Sequence, residues 1–256
     1  MNPMHEQQQD IKKRIVSLLD LTNLEEDATA DDIVKLCQKA ITPIGNVAAV
    51  CIPAKFIALA KQHLSATGIC IATVANFPTG THPLPAIMEE IEFAIAAGAD
   101  EIDIVIPFHL YLEDKAPQVA HHLANFVAAC ADRIRLKIIL ETGELQRPQL
   151  IAQASLDAIT AGADFIKTST GKVAVGATLE AAEIMLTAIK HAAKTVGFKA
   201  SGGIRTVEQA IQYLKLAEKI MHPDWVSPQH FRFGASSLLN ELIGNDLSTD
   251  SRIANY

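Results

Sequence analysis

Short apolar runs alternate with amphipathic helical patterns from one end of the chain to the other. Eight runs read as strands: "LLDLTN", "VAAVCIP", "CIATVAN", "EIDIVIP", "LKIILET", "DFIKTST", "VGFKAS" and "FRFGAS". They are close to continuously apolar, as strands are when both faces are covered. The segments between them carry a helical period. In "LPAIMEEIEFAIAAGA", Ile87, Ile91 and Ile95 recur every fourth residue while Glu89, Glu90 and Glu92 turn mainly to the other side. Thr29 and Thr178 sit where N-caps belong, with acids in the turn that follows. Gly98 and Gly162 close their helices.

Strict alternation of strand and helix implies parallel strands joined by helical crossovers. Two arrangements fit, an open doubly wound sheet and a closed barrel. The open sheet of a dinucleotide-binding protein would carry G-x-G-x-x-G after its first strand, and the sequence lacks it. Eight units in 256 residues match the roughly 250 residues of a (β/α)8 TIM barrel. Residues 1–256 therefore read as one α/β domain of that fold, with a short N-terminal helix and a mobile polar tail from about 245 to 256.

An internal echo refines the register. "AIAAGADEIDIV" and "AITAGADFIKTS" align as helix end, glycine stop and strand start, with Asp103 falling on Lys167. Alternate strands of a barrel feed the same interior layer. The echo thus predicts a carboxylate and an amine facing one cavity. Lys199 in "VGFKAS" and Lys137 in "LKIIL" add two more ammonium groups to the strands. Each alone is explained by an ion pair or by snorkelling to the rim. Three lysines and an aspartate on adjacent strands point instead to chemistry, because buried charges are rare unless used.

Imine formation is the chemistry that fits. A lysine of ordinary pKa is neutral only about one part in 2,500 at pH 7. Becoming a nucleophile means losing roughly three pKa units, or about 4 kcal/mol. An ammonium at about 4 Å in an effective dielectric near 20 supplies about that much. Lys167 and Lys199, on neighbouring strands, form such a pair, with Asp103 placed to hold Lys199 charged and to relay protons through a water.

The strand ends add a candidate anion site. The seventh strand runs into "ASGGIR", with Gly202, Gly203 and Arg205, and the eighth into "GASSLL", with Gly234, Ser236 and Ser237. Gly171 and Lys172 follow the sixth strand. Any one is explained as a turn glycine or helix cap, but three such loops together predict a phosphate-bearing small ligand. Thr22, Cys51, Lys137 and Thr170 are expected to line the pocket, Cys51 as packing rather than as a reacting thiol.

Charge narrows the partners. The formal charge of −7 argues against nucleic acid or an anionic membrane surface, while leaving room for a local cationic pocket. No apolar segment approaches membrane-spanning length, and the N-terminus has no secretion signal. Cys37, Cys51, Cys70 and Cys130 form no C-x-x-C pair and read as reduced thiols of a cytoplasmic protein. No H-E-x-x-H is present, and His121–His122 reads as a solvated helix face rather than a metal site. Three readings stay open on these residues: an imine-forming aldolase, another sugar-phosphate enzyme using Asp103 as base, and a non-catalytic sugar-phosphate sensor.

With "EIDIVIP", "DFIKTSTGK", "GFKASGGIRT" and "FRFGASS" in order, supported by "LLDLTNL", "VCIP" and "ATVANFPTG", the chain resembles the deoxyribose-phosphate aldolase family of class I aldolases. The resemblance spans nearly the whole chain. It implies reversible cleavage of 2-deoxy-D-ribose 5-phosphate to acetaldehyde and D-glyceraldehyde 3-phosphate, with no metal or other cofactor. By position, Lys167 would form the imine, Asp103 would exchange protons with water, and Lys199 would tune the pair. Tyr256 stands where a terminal tyrosine of longer family members visits the active site, although a frayed terminus also explains it. The resemblance further implies a cytoplasmic enzyme of deoxynucleoside catabolism, often a homodimer.

Overall fold

The computed structural model describes residues 3–244, with side chains from Gln8 onward. Eight parallel strands close into a barrel: Leu19–Thr22, Ala49–Cys51, Cys70–Ala75, Glu101–Val105, Arg135–Ile139, Phe165–Lys167, Gly197–Ser201 and Phe231–Ala235. They follow one another around the barrel in chain order, and the first pairs with the eighth. Seven fall within the runs read as strands from the sequence, and the fifth begins one residue before its run, at Arg135. The expected N-terminal helix spans Pro3–Ser17. A two-stranded hairpin, Ile41–Thr42 with Gly45–Asn46, was not expected; it is too short to carry a period. No helix among the described residues is long and apolar enough to cross a membrane.

The helices begin and end where their residues direct. Thr29 starts the helix Ala30–Lys39 with a full capping box, in which its hydroxyl accepts from Asp32 N–H and the Asp32 carboxylate accepts from Thr29 N–H at 3.0 Å. The Thr178 hydroxyl accepts from Ala181 N–H to start Leu179–Lys190. Gly98, at φ 86°, ends Leu84–Ala97 in the left-handed region that a side chain disfavours. His122 turns a ring nitrogen to the Gln118 carbonyl of its own helix, on the partly exposed face expected for it.

The apolar core lies between strands and helices, not inside the barrel. Ile102 and Ile104 join the large core with Ile87 and Ile91. A second, small cluster of Ala49, Cys51 and Ala72 has only Leu24, Cys70 and Val74 packed against it. Barrel interiors of this fold usually fill with layers of Val, Ile and Leu. This one is filled largely by charge: Asp20, Glu101, Asp103, Lys137, Lys199 and Arg232 are all at most 2% exposed. Alternation along the fourth strand shows the partition, with Ile102 and Ile104 outside and Glu101 and Asp103 within.

Gly197 shows how tightly the interior is filled. A Cβ there would come within 2.3 Å of the Phe165 ring. Gly197→Ala should therefore destabilise the fold by about 1–3 kcal/mol, read as a lower urea midpoint at unchanged slope. An unchanged midpoint would mean that the Phe165 ring moves aside freely.

Candidate active site

At the C-terminal end of the strands lies a cavity of about 530 Å³. Its wall takes Thr22 from the first strand, Lys167 from the sixth, and Thr170, Gly171 and Lys172 from the loop that follows. Gly202, Gly203 and Arg205 come from the loop after the seventh strand, and Gly234, Ser236 and Ser237 from the end of the eighth. The three loops predicted to hold a phosphate thus meet at one cavity. Lys39 and Asn23 also reach it; neither was expected, because Lys39 ends an ordinary helix and nothing in its spacing marks it.

Glycine allows the loops to touch. Gly202 has φ 88°, and a Cβ on it would sit 3.1 Å from Gly176 Cα and 3.2 Å from Gly171 Cα. The Ala177 N–H donates to the carbonyls of Ser201 and Gly202, tying the sixth loop to the seventh. Gly203, also at positive φ, has nothing within 4 Å of where a Cβ would stand. Gly234 keeps space beside the amines, since its Cβ would meet Ser201 Oγ at 2.6 Å and Lys199 Cε at 3.1 Å. Lys172 spans the mouth to Glu25 at 3.0 Å. Thr170 donates both its hydroxyl and its N–H to Glu141, so it braces the loop as well as lining the wall.

Beneath the cavity the charged groups form one connected array. Lys167 and Lys199 are direct register partners on the sixth and seventh strands. Both ammonium groups donate to Asp103 Oδ2 at 2.8 Å. Lys137 donates to Asp103 Oδ1 at 2.8 Å and lies 2.6 Å from Glu101 Oε2. Lys199 also bonds to Asp20, whose other oxygen accepts from Arg232 at 2.6 Å. Arg232 forks onto Glu101, and Arg135 reaches Glu101 from the opposite rim at 2.7 Å.

Four expectations need correction. Asp103 and Lys199 are not in the cavity wall; they are fully buried directly beneath it, Asp103 bonded to Lys167, and of the three catalytic candidates only Lys167 reaches the wall. Lys137 does not line the pocket either, being held below by Glu101 and Asp103. Cys51 is not in the cavity wall; it packs with Ala49 and Ala72 on the interior side, close to Lys167, Lys199 and Asp103, and burial pushes its thiol up. The cause given for the perturbed lysine also changes. Burial is the main reason the Lys167 amine is lowered; Asp103 opposes it, and the Lys199 charge assists in a lesser role. Lys199 is itself raised, because Asp103 and Asp20 outweigh its burial. Asp103 is held well below the usual carboxylate range by its three lysines despite its burial. Tyr256 and the tail lie outside the described residues.

Asp20, Glu101 and Arg232 were missed. The signal was present: each interrupts an apolar strand, "LDLT", "EIDIV" and "FRFGA", as Lys167 interrupts its own. Glu101 also stands two residues before Asp103, hence on the same face of the strand.

Known proteins resemble this chain in sequence and fold. A curated deoxyribose-phosphate aldolase from Agrobacterium fabrum is 54% identical over 229 residues, covering 89% of this chain and 88% of that one. A crystal structure from Coccidioides immitis, provisionally assigned as a deoxyribose-phosphate aldolase, superposes with a TM-score of 0.78 at 29% identity, over 90% of this chain and 85% of that one. The tetrameric deoxyribose phosphate aldolase of Aeropyrum pernix shares the fold, with a TM-score of 0.76 at 24% identity over 95% and 97% of the two chains. The model of the DeoC/LacD family aldolases matches residues 14–243. With that match over most of its length, the chain belongs to the DeoC/LacD family of aldolases.

Proposed function

We infer that this aldolase reversibly cleaves 2-deoxy-D-ribose 5-phosphate to acetaldehyde and D-glyceraldehyde 3-phosphate through an imine on Lys167. The observation that carries the residue assignment is Lys167 itself. It is 3% exposed, stands in the cavity wall, and touches a carboxylate that also holds a second lysine, one that its two carboxylate partners favour in the charged form.

Burial keeps a fraction of Lys167 neutral, and the neutral amine attacks the substrate aldehyde carbon. Loss of water from the carbinolamine leaves a protonated imine. Removal of the proton from the 3-hydroxyl then breaks the C2–C3 bond; the electron pair flows into the imine and leaves an enamine. Glyceraldehyde 3-phosphate departs as the aldehyde formed at C3. Protonation of the enamine carbon and hydrolysis release acetaldehyde and restore the amine. Asp103 Oδ2, between the two lysine nitrogens, orients the water that passes these protons. Lys199 stays charged and keeps Asp103 anionic.

The phosphate end of the substrate is assigned to Gly202, Gly203, Ser236 and Ser237, with Arg205 and Lys172 supplying charge. The competing use of Asp103 as the base of an isomerase is disfavoured. A carboxylate surrounded by three ammonium groups has little affinity for a carbon-bound proton, whereas a relayed proton need not reside on it. We also expect a homo-oligomer working in the cytoplasm, where its four free cysteines would stay reduced.

Two measurements test this reading. Acetaldehyde with borohydride should leave an ethyl group on Lys167, located by peptide mass spectrometry. Labelling elsewhere in folded protein would remove Lys167 from its role. Replacing Lys199 with Leu takes away a cation that lowers Lys167, so the Lys167 pKa must rise and neutral amine must appear at higher pH. The acid limb of kcat/KM should move up, and the maximum should fall roughly 100-fold or more. An acid limb that stays in place would show that Lys199 does not act through charge.

A further inference from the structure

The charged array does not end at the catalytic lysine; it crosses the barrel to the opposite face. Glu101 is its far anchor. Its Oε1 accepts from Arg135 at 2.7 Å and Arg232 at 2.8 Å. Its Oε2 lies 2.6 Å from Lys137 and accepts from Arg232 at 3.2 Å. Cys70 and Arg135 line the opening beside Glu101 at that end. Arg232 is fixed by Asp20, by the Pro228 carbonyl at 2.5 Å, and by the Phe165 ring, whose centroid is 5.8 Å away.

Within the barrel the charges can be matched one to one. Asp20, Glu101 and Asp103 are balanced by Lys137, Lys199 and Arg232. Lys167 is the fourth cation of a set with three carboxylates. A proton on it leaves one net positive charge in a space with almost no solvent contact; without that proton the set is neutral. We propose that Glu101 and Arg232, remote from the cavity, are positioning residues that set the protonation state of Lys167 through the charge balance of this array. They act along a short path, because Glu101 holds Lys137, Lys137 holds Asp103 Oδ1, and Asp103 Oδ2 holds Lys167.

The other groups around Lys167 do not alter the count. Lys199 and Asp103 are already within it. Cys51 on the second strand is a thiol whose burial raises its pKa. Glu141, in the loop after the fifth strand, is occupied by the hydroxyl and N–H of Thr170. Arg135 sits at the rim with its side chain 37% exposed, so water weakens its effect on the array without removing it.

The inference rests on Lys167 being the imine-forming amine, and the experiment separates the two ideas. The pH dependence of borohydride trapping of acetaldehyde on Lys167 is measured by mass spectrometry in wild type, Glu101→Gln, Arg232→Gln and the double variant. Circular dichroism verifies that each folds. Removing the Glu101 charge should lower the half-maximal pH by about one unit, and removing the Arg232 charge should raise it by about one unit. The double variant loses both contacts but keeps the balance, so its midpoint should return close to that of wild type. Arg232→Lys, which keeps the charge, should leave the midpoint in place. If a buried variant fails to fold, Arg135→Gln at the rim reads the same effect, with a smaller rise. A purely structural role would slow trapping in every variant without opposite displacements. Folded variants with unmoved midpoints, or with midpoints displaced in one direction, would overturn the proposal. An unmoved midpoint in Arg135→Gln would do the same if no buried variant folds. Failure of the wild type to trap at Lys167 would instead overturn the aldolase assignment of that residue.

Discussion

Electroneutrality in a dry space governs this molecule. Closing eight parallel strands leaves an interior that most chains of this fold fill with aliphatic side chains. Here the same volume holds three carboxylates and four cations with almost no exposure. Moving such groups out of water costs several kcal/mol each, and the cost is offset only when every charge finds a partner in good geometry. The observed array meets that condition for six groups. The seventh, Lys167, has only a share of Asp103 Oδ2, which Lys199 also claims. The residue that gains least from being charged is the one we assign to the imine.

That distribution divides the barrel by depth. Below, charged groups lock one another: Asp103 cannot turn without losing a lysine at either oxygen. Above, the loops are built from glycine and hydroxyls, with backbone approaching backbone across Gly171, Gly176 and Gly202. A phosphate needs N–H groups and solvent-facing cations, which the upper layer supplies. An imine needs an amine drained of its proton, which the lower layer supplies. Lys167 links the two, because its strand ends as the cavity begins.

The architecture was legible because it depends on patterns repeated many times. Eight apolar runs, the helical period between them and the caps at Thr29 and Thr178 all pointed the same way, and the 94–105 and 158–169 echo put Asp103 and Lys167 at equivalent positions of one interior layer. The relative weight of two electrostatic effects was less legible. The sequence puts Lys199 beside Lys167 and suggests repulsion, but it says nothing of how thoroughly Lys199 is neutralised by Asp20, 179 residues away along the chain. A partner that distant leaves no local trace. Lys137 and Cys51 were misplaced for a related reason. Strand alternation tells inside from outside, yet height along the barrel axis depends on the stagger between strands, which no single strand encodes.

Depth does not by itself separate Lys167 from the other two buried lysines. Lys137 and Lys199 are buried at least as thoroughly as Lys167, so burial alone would make all three reactive. What separates them is company. Lys137 lies within reach of Asp20, Glu101 and Asp103, and Lys199 bonds to Asp20 and Asp103; both are raised, whereas Lys167 is lowered. At an effective dielectric near 20, a carboxylate at hydrogen-bond distance favours the ammonium form by several kcal/mol, so one extra carboxylate is enough to reverse the sign of the perturbation. Nucleophilicity at this site is therefore determined by where carboxylates are absent. An aspartate or glutamate introduced near Lys167 would silence the amine without touching substrate.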